Sequence, residues 1–441
     1  MSPGLAARTA AWRILHDVHR GVPFDLAIDR AFGALTEEAD RRLAHELAAG
    51  ALRQRARLDG AIAPHVSLGL DSVRPDLLDI LRLGAYQLLF LERVPPHAAV
   101  STSVELARRV SGARVGAFVN AVLRRVATAG DRGSLRGGAA ETVEAAPACA
   151  TDLAAASSHP EWLVERWVAR FGLDETERLL SWNNRRPSLV LQPARWDADA
   201  ITAALDRAGV RWARAPYDAG IVVETSRPRE LPGFASGAFQ VQDPAQALVL
   251  RFFETDAATV FDACAAPGGK TVGLSRSGRT VVAADRRRDR IRRLVGNLGR
   301  AASGPAFSLL ASADRPPVRP VGAVLLDVPC LGTGALARNP DARWRVSADA
   351  LEGLTEQASR FLRAQAEIVR PGGWLLFSTC SLEPEENETQ VDAFLAADTR
   401  FRREPGASAP ADLLTAAGDL MILPQRHGMD GAYAARLRRV A

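Results

Sequence analysis

Val260-Phe-Asp-Ala-Cys-Ala-Ala-Pro-Gly-Gly-Lys-Thr271 is the stretch whose reading decides the fold. An apolar run ends on an acid, a turn follows, and a helix begins. Gly268 and Gly269 let backbone approach a ligand closely, and a helix N-terminus presents free amide hydrogens. From Ala247 onward the same pattern repeats. Strand-like runs at 259–263, 280–284, 306–310, 322–326 and 373–378 alternate with helical stretches. That alternation predicts a parallel sheet with helices on both faces. Segments 420–424 and 432–440 add an antiparallel hairpin at its edge.

Ligands of open α/β sheets gather at the carboxyl ends of strands. Cys330, in Asp-Val-Pro-Cys, and Cys380, in Ser-Thr-Cys-Ser, each follow such a run, and Cys264 lies in the opening turn. Two thiols delivered to strand ends predict one site that holds both. The chain has 4 cysteines in 441 residues, too few for a disulfide framework, so a reducing cytoplasm is the expected setting. No secretory leader and no membrane span are read from the sequence.

One compositional feature bears on the same turn. Lys270 is the single lysine among 56 basic residues, the rest being arginine. Arginine and lysine differ in size, donor geometry and hydration. A lone surviving lysine therefore marks a position that arginine cannot fill.

Two ligand classes compete for the turn. A phosphate-binding loop requires glycine where Cys264 stands, although Asp327 after an apolar run imitates its magnesium partner. A nucleoside cofactor without polyphosphate needs a turn for one end and an acid for the ribose. Asp285, ending the second strand, supplies that acid. S-adenosylmethionine meets both demands. Residues 286–293 carry six arginines; they read as a solvated helix face, with Arg290 able to reach back towards the cofactor carboxylate. No metal site is expected.

Upstream the chain reads differently. Residues 1–130 have helical periodicity, as in Ala11, Ile14, Leu15, Val18 and Leu77, Ile80, Leu81, Ala85, and form an all-α domain. With 17 basic and 13 acidic residues it is the most basic part for its length, and Arg108, Arg109, Arg114, Arg124 and Arg125 give it a basic edge. Residues 131–157, rich in Gly, Ala and Ser, read as a flexible linker. Residues 158–241 read as a small α/β module, and 242–441 as the doubly covered sheet. The sequence pI of about 9.5 permits nucleic acid as a partner.

A methyl donor beside two thiols points to cytosine carbon 5, which is not nucleophilic in the aromatic ring. A thiolate adding to carbon 6 turns carbon 5 into an enamine carbon, and a base then removes its proton so that the first thiol leaves. Asp327 could hydrogen-bond the pyrimidine edge and stabilise charge at the ring nitrogen. A thiol at a strand end beside Lys270 is expected to have a lowered pKa.

The chain resembles bacterial 16S ribosomal RNA cytosine-C5 methyltransferases of the Sun type, the branch with an N-terminal domain similar to the antitermination factor NusB. The likeness rests on Asp262 to Thr271, on Asp327-Val-Pro-Cys330 with Gly332-Thr-Gly334 and Pro340-Asp-Ala-Arg-Trp344, and on Ser378-Thr-Cys380-Ser-Leu-Glu-Pro-Glu-Glu-Asn387. Gln242-Asp243 and Asp430-Gly431 match flanking signatures, and Arg82 to Gln87 and Phe118 to Arg124 resemble the helical domain. The resemblance implies a NusB-like all-α domain, a small α/β RNA-binding module and a C-terminal Rossmann-like class I methyltransferase. It makes Cys380 the nucleophile and Cys330 the thiol that assists release. Cys264, Ala265, Ala266, Pro267, Gly268, Gly269, Lys270, Asp285 and Asp327 would hold or border S-adenosylmethionine. The acid after the third strand is replaced by Ser312, with Asp314 two residues on. Leu331 stands where serine is usual, and Leu191-Gln-Pro-Ala194 replaces a stretch close to Leu-Arg-Val-Asn. The implied partner is 16S ribosomal RNA, the implied state a monomer. Transfer RNA as substrate, or a silent RNA-binding assembly factor, are the alternatives.

Overall fold

The computed structural model describes residues 4–129, 149–225 and 227–441. The chain divides into two compact units, Met1–Arg185 with Leu336–Arg345, and Arg186–Ala335 with Val346–Ala441.

The first unit is helical. Pro75 and Pro96 open the helices Pro75–Phe90 and Pro96–Ser111; the first helical position suits proline because its missing N–H has no partner there anyway. Gly112, at φ 90°, ends the second. Leu77, Ile80 and Leu81 point inward as their spacing requires, joining Ile14, Leu47, Leu88 and Leu123 in one core. Arg82 is buried there, paired with Asp59 at 2.7 Å and Asp79 at 3.2 Å. The arginines 108, 109, 114, 124 and 125 are all exposed.

The reading of 131–157 as linker needs correction. Residues 130–148 lie outside the described residues, but Ala150–Ser157 is a helix with Leu153 and Ala154 buried. The alanines that suggested flexibility are the strongest helix formers. The helices Glu161–Phe171 and Leu173–Asn184 pack within the first unit.

Leu336–Arg345 completes the first unit. Arg343 is fully buried and donates to the carbonyls of Arg53 (3.1 Å), Ser158 (3.3 Å) and Asn183 (2.9 Å) and to Asn184 Oδ1 (2.9 Å). Trp344 Nε1 donates to Leu52 O at 2.7 Å, and Asp341 accepts from the Phe24 amide at 3.3 Å. Burial, and secondarily the charge of Arg53, pulls the Arg343 guanidinium down to about 9.

The second unit holds two sheets. The smaller comprises β1 (Leu189–Pro193), β2 (Trp212–Arg214), β3 (Ile221–Val223) and β4 (Phe239–Val241), antiparallel in the order β2-β3-β1-β4. Its helix Ala198–Arg207 is capped by Asp197, which accepts from the Ala200 amide at 2.8 Å. Leu191, Ile201, Leu205, Ile221 and Phe239 form its core.

The larger sheet contains β5 (Thr259–Asp262), β6 (Thr280–Asp285), β7 (Ala306–Leu310), β8 (Val321–Asp327), β9 (Val369–Thr379), β10 (Phe401–Arg403), β11 (Leu420–Ile422) and β12 (Ala432–Arg439). The order is β10-β12-β9-β8-β5-β6-β7, with β11 beside β12. Strands β5 to β9 are parallel; β12 runs antiparallel to β9, β10 and β11. The near-continuous apolar runs of β8 and β9 follow from burial on both faces. Phe261, Val324, Leu375 and Phe377 pack on one side, and Val260, Leu325 and Leu376 on the other. The expected hairpin at 420–440 is present, while Phe401–Arg403, only three residues long, carried no readable alternation.

Two stability predictions follow from the first unit. Arg343→Ala leaves several buried carbonyls without donors and is expected to destabilise the protein by about 3–5 kcal/mol in denaturant melts. His159 is buried, with Nδ1 2.9 Å from Ser157 O, and burial, then the charge of Arg343, holds its imidazole well below the usual value. The unfolded chain therefore binds a proton that the native chain refuses. Stability is fully present above the unfolded pKa and falls as pH drops through and below it, by at most about 1.4 kcal/mol per pH unit. His159→Phe is expected to flatten this part of the melting-temperature profile between about pH 7 and 5.

Candidate active site

Sheet register places the reactive groups. β8 and β9 pair in parallel with Asp327 opposite Ser378, so the loops that leave them start at one level. Cys330 lies three residues beyond the end of β8 and Cys380 one beyond the end of β9. Their sulfurs are 3.4 Å apart. The two strand-end thiols anticipated from the sequence do share one site.

The loop after Cys330 is fastened to the chain around Cys380. The Gly334 amide donates to Cys380 O at 2.9 Å, and Thr333 Oγ1 accepts from the Leu382 amide at 2.8 Å. A Cβ on Gly334 would stand 2.7 Å from Gly431 Cα and 2.9 Å from Cys380 O, so this crossing of backbones requires glycine. Thr379 Oγ1 donates to Asn387 Oδ1 at 2.5 Å, and Asn387 Nδ2 to Ser381 O at 3.0 Å.

At Asp327, three residues before Cys330, Lys270 Nζ donates to Oδ2 at 2.6 Å and also to Gln246 Oε1. Ser378 Oγ donates to Asp327 Oδ1 at 2.8 Å. The lysine side chain is 10% exposed and the Asp327 side chain 31%. Lys270 thus joins the glycine turn to the end of β8. Gln246 and Ser378 were missed in the sequence. Ser378 lay inside a quoted motif, but Gln246, in the helix Pro244–Phe253, carries no local signal.

The turn itself is tightly held. Gly268 adopts φ 105°, and a Cβ there would meet Leu294 Cδ1 at 2.7 Å. Gln240 Nε2 donates to Gly269 O at 2.8 Å. Ala265 donates to Ala284 O, and Ala266 and Pro267 complete the turn before the helix Gly269–Ser275. Asp285 ends β6, takes the Arg287 amide on Oδ1 at 3.0 Å, and has Arg290 4.0 Å from Oδ2. Arg290 therefore stands by the proposed ribose acid rather than by the turn. Ser312 is half-buried just beyond the end of β7, where the Ala311 amide donates to Asp285 O; Asp314 is exposed. Asp243, N-cap of Pro244–Phe253, also accepts from the Asp430 amide at 3.1 Å, which joins the two flanking signatures. Gln192, within the altered β1 stretch, is buried and donates to Ala219 O at 2.8 Å.

Electrostatics corrects one expectation. Cys264 is not an activated thiol: burial pushes it far up, with Asp327, Asp262 and Asp285 adding to the rise. Cys330 is also raised, through its hydrogen bond to Cys380, then burial and the charges of Cys380 and Glu386. A partly buried thiol flanked by acids holds its proton. Asp262 is pushed up to about 7 by burial, against the Thr271 hydroxyl (2.7 Å) and Lys270 and with the charges of Asp327 and Asp285. Its Oδ1 is buried without a hydrogen-bond partner. A glycine turn with helix amides, an acid at the end of β6 and a buried carboxyl oxygen still to be satisfied fit S-adenosylmethionine, with its amino-acid moiety and ribose.

Comparison with known proteins bears on these features. Residues 247–438 match the model for 16S rRNA methyltransferase RsmB/F, residues 5–128 the NusB family, and residues 159–229 an RsmF/B-like ferredoxin-like domain. The "Probable ribosomal RNA small subunit methyltransferase B" of Synechocystis is 34% identical, covering 99% of this chain and 100% of the relative. The "Ribosomal RNA small subunit methyltransferase B" of Pseudomonas putida is 32% identical over 100% of this chain and 99% of its own. Among solved structures, PH0851 superposes with a TM-score of 0.81 at 23% identity, covering 99% of both chains, and NSun6 from Pyrococcus horikoshii with 0.56 at 18%, covering 64% of this chain and 98% of its own. These two likenesses concern the fold. With identity above 30% over essentially its whole length, the chain belongs to the ribosomal RNA small subunit methyltransferase B family, whose cofactor is S-adenosylmethionine.

Proposed function

We propose that this protein methylates carbon 5 of a cytosine in 16S ribosomal RNA through a covalent bond between Cys380 and carbon 6. The observation that carries the reading is the pair of sulfurs 3.4 Å apart beside the Lys270–Asp327 ion pair. A single buried cysteine is commonly a small core residue. Two at neighbouring strand ends, hydrogen-bonded to each other next to a methyl-donor site, are what addition and elimination on a pyrimidine require.

Cys330 holds its proton more tightly than a free thiol does, and can donate it in a hydrogen bond to a Cys380 thiolate. Cys380 then adds to carbon 6, and the electron pair of the ring double bond moves towards carbon 5 and the ring nitrogen. Asp327, fixed by Lys270 and Ser378, would accept from the pyrimidine edge and keep the ring oriented. S-adenosylmethionine supplies the electrophilic methyl group. Once Cys380 is bound to carbon 6, its charge and hydrogen bond no longer hold the Cys330 proton, which passes to water. After methyl transfer the Cys330 thiolate takes the carbon 5 proton, that electron pair re-forms the ring double bond, Cys380 leaves as thiolate, and aromaticity returns. Carbon 6 is inaccessible in a stack, so the target base must be flipped or unpaired. The names of the relatives support the small-subunit RNA as substrate. The NusB-like domain with its exposed arginines supports RNA binding. We further propose that the enzyme acts as a monomer in the cytoplasm. Among the described residues no helix is long and apolar enough to cross a membrane.

Incubation with labelled cofactor and unmodified 16S RNA, read by nucleoside mass spectrometry and denaturing gels, tests the roles. Wild type should yield 5-methylcytidine. Cys380→Ala should yield none, and Cys330→Ala should accumulate a protein–RNA adduct that survives denaturation. Methylation by Cys380→Ala, or product on transfer RNA alone, would overturn the assignment.

Lys270→Arg gives a second test. A guanidinium is broader than the ammonium that donates to both Gln246 and Asp327, so kcat is expected to fall about 100-fold through misplacement of Asp327. Wild-type turnover by this variant would make the lone lysine incidental.

A further inference from the structure

Glu386 stands at the end of the short turn Pro384–Glu386, six residues beyond Cys380. It is 2% exposed. Its Oε1 accepts from the Leu331 amide at 2.9 Å, and its Oε2 is buried with no hydrogen-bond partner. A carboxyl group this deep, with one oxygen unsatisfied, is costly for folding alone. Leu331 directly follows Cys330, so the bond acts on the peptide unit that carries the release thiol. Burial, reinforced by the charges of Glu383 and Glu385 and opposed by the Ser381 hydroxyl and the Leu331 amide, pushes Glu386 up to about 7. Neutral and ionised forms are thus both accessible near neutral pH, and both can accept the Leu331 hydrogen.

We propose that Glu386 is a positioning residue for the release step, its carboxyl oxygen fixing the Leu331 amide and so holding the Cys330 sulfur against Cys380. This deepens the covalent reading given above and rests on it. The loop is otherwise fastened at its two ends, where the Val328 amide donates to Ser378 O at 3.0 Å and where Thr333 and Gly334 bond to Leu382 and Cys380. Those anchors secure residue 328 and residues 333–334, and between them Glu386 holds the peptide next to Cys330. Without it, Cys330 keeps its chemistry and loses its place. Leucine at 331 fits the same role, since its side chain is buried and its backbone serves as the donor.

Glu386→Ala and Glu386→Gln separate the acceptor from the charge. Glutamine keeps a carbonyl oxygen where Oε1 stands and mimics the neutral acid; alanine removes it. For Glu386→Ala we expect kcat to drop about 10- to 100-fold with KM for RNA nearly unchanged, and an adduct to build up as in Cys330→Ala. Glu386→Gln should recover turnover to within about threefold of wild type and show no adduct. Hydrogen exchange in the RNA-free protein supplies a readout independent of the reaction. The peptide spanning 328–334 should gain one fast-exchanging amide in Glu386→Ala and none in Glu386→Gln. Unchanged exchange in Glu386→Ala, or equal loss of turnover in both variants, would overturn the proposal. Faster exchange in Glu386→Ala with no adduct from Cys330→Ala would keep the loop assignment and refute the covalent reading instead.

Discussion

The parallel pairing of β8 with β9 is the constraint on which the site depends. Because Asp327 stands opposite Ser378, the two loops that carry the thiols depart from the same level of the sheet. A slip of one residue in this register would turn the strand-end side chains to the other face. From Ala323 opposite Trp374 to Asp327 opposite Ser378 the pairing runs without a shift. Local bonds then finish the placement: Gly334 to Cys380, Thr333 to Leu382, and Leu331 to Glu386. The 3.4 Å between the sulfurs is the sum of that register and those loop contacts.

Lys270 links this thiol site to the cofactor turn. Arginine fills every other basic position, including the buried Arg343, whose planar fork reaches four oxygens at once. Lys270 has a different task, a compact charge shared between Gln246 and Asp327, the latter also held by Ser378. The two cations illustrate why the residue types are not interchangeable. One holds together a helical unit by spreading donors over backbone carbonyls. The other concentrates its charge on a single carboxylate at the sheet.

Much of this was legible in the sequence. The strand–turn–helix at 260–271, the acids Asp262 and Asp285 on successive strands and the twin cysteines are local patterns, and each corresponds to a local structure. What depends on distant contact was not legible. Gln246 reaches Lys270 from beyond the Gln242-Asp243 signature, and Glu386 accepts from Leu331, 55 residues away. The thiol pKa was misjudged for the same reason, since burial and acidic neighbours are set by tertiary packing. The segment 340–344 resembles part of the same family motif as Asp327 to Cys330, yet its Asp341 and Arg343 side chains are buried in the first unit. Composition misleads at 150–157, where alanine suggests a linker and forms a helix.

The central claim is that one specific sulfur bonds to the base. RNA containing 5-fluorocytosine tests it most directly, because fluorine at carbon 5 cannot leave as a proton and the adduct persists after methyl transfer. Peptide mapping by mass spectrometry should find the methylated fluoropyrimidine on the peptide carrying Cys380. Attachment at Cys330, or no attachment under conditions of full turnover on normal RNA, would contradict the account.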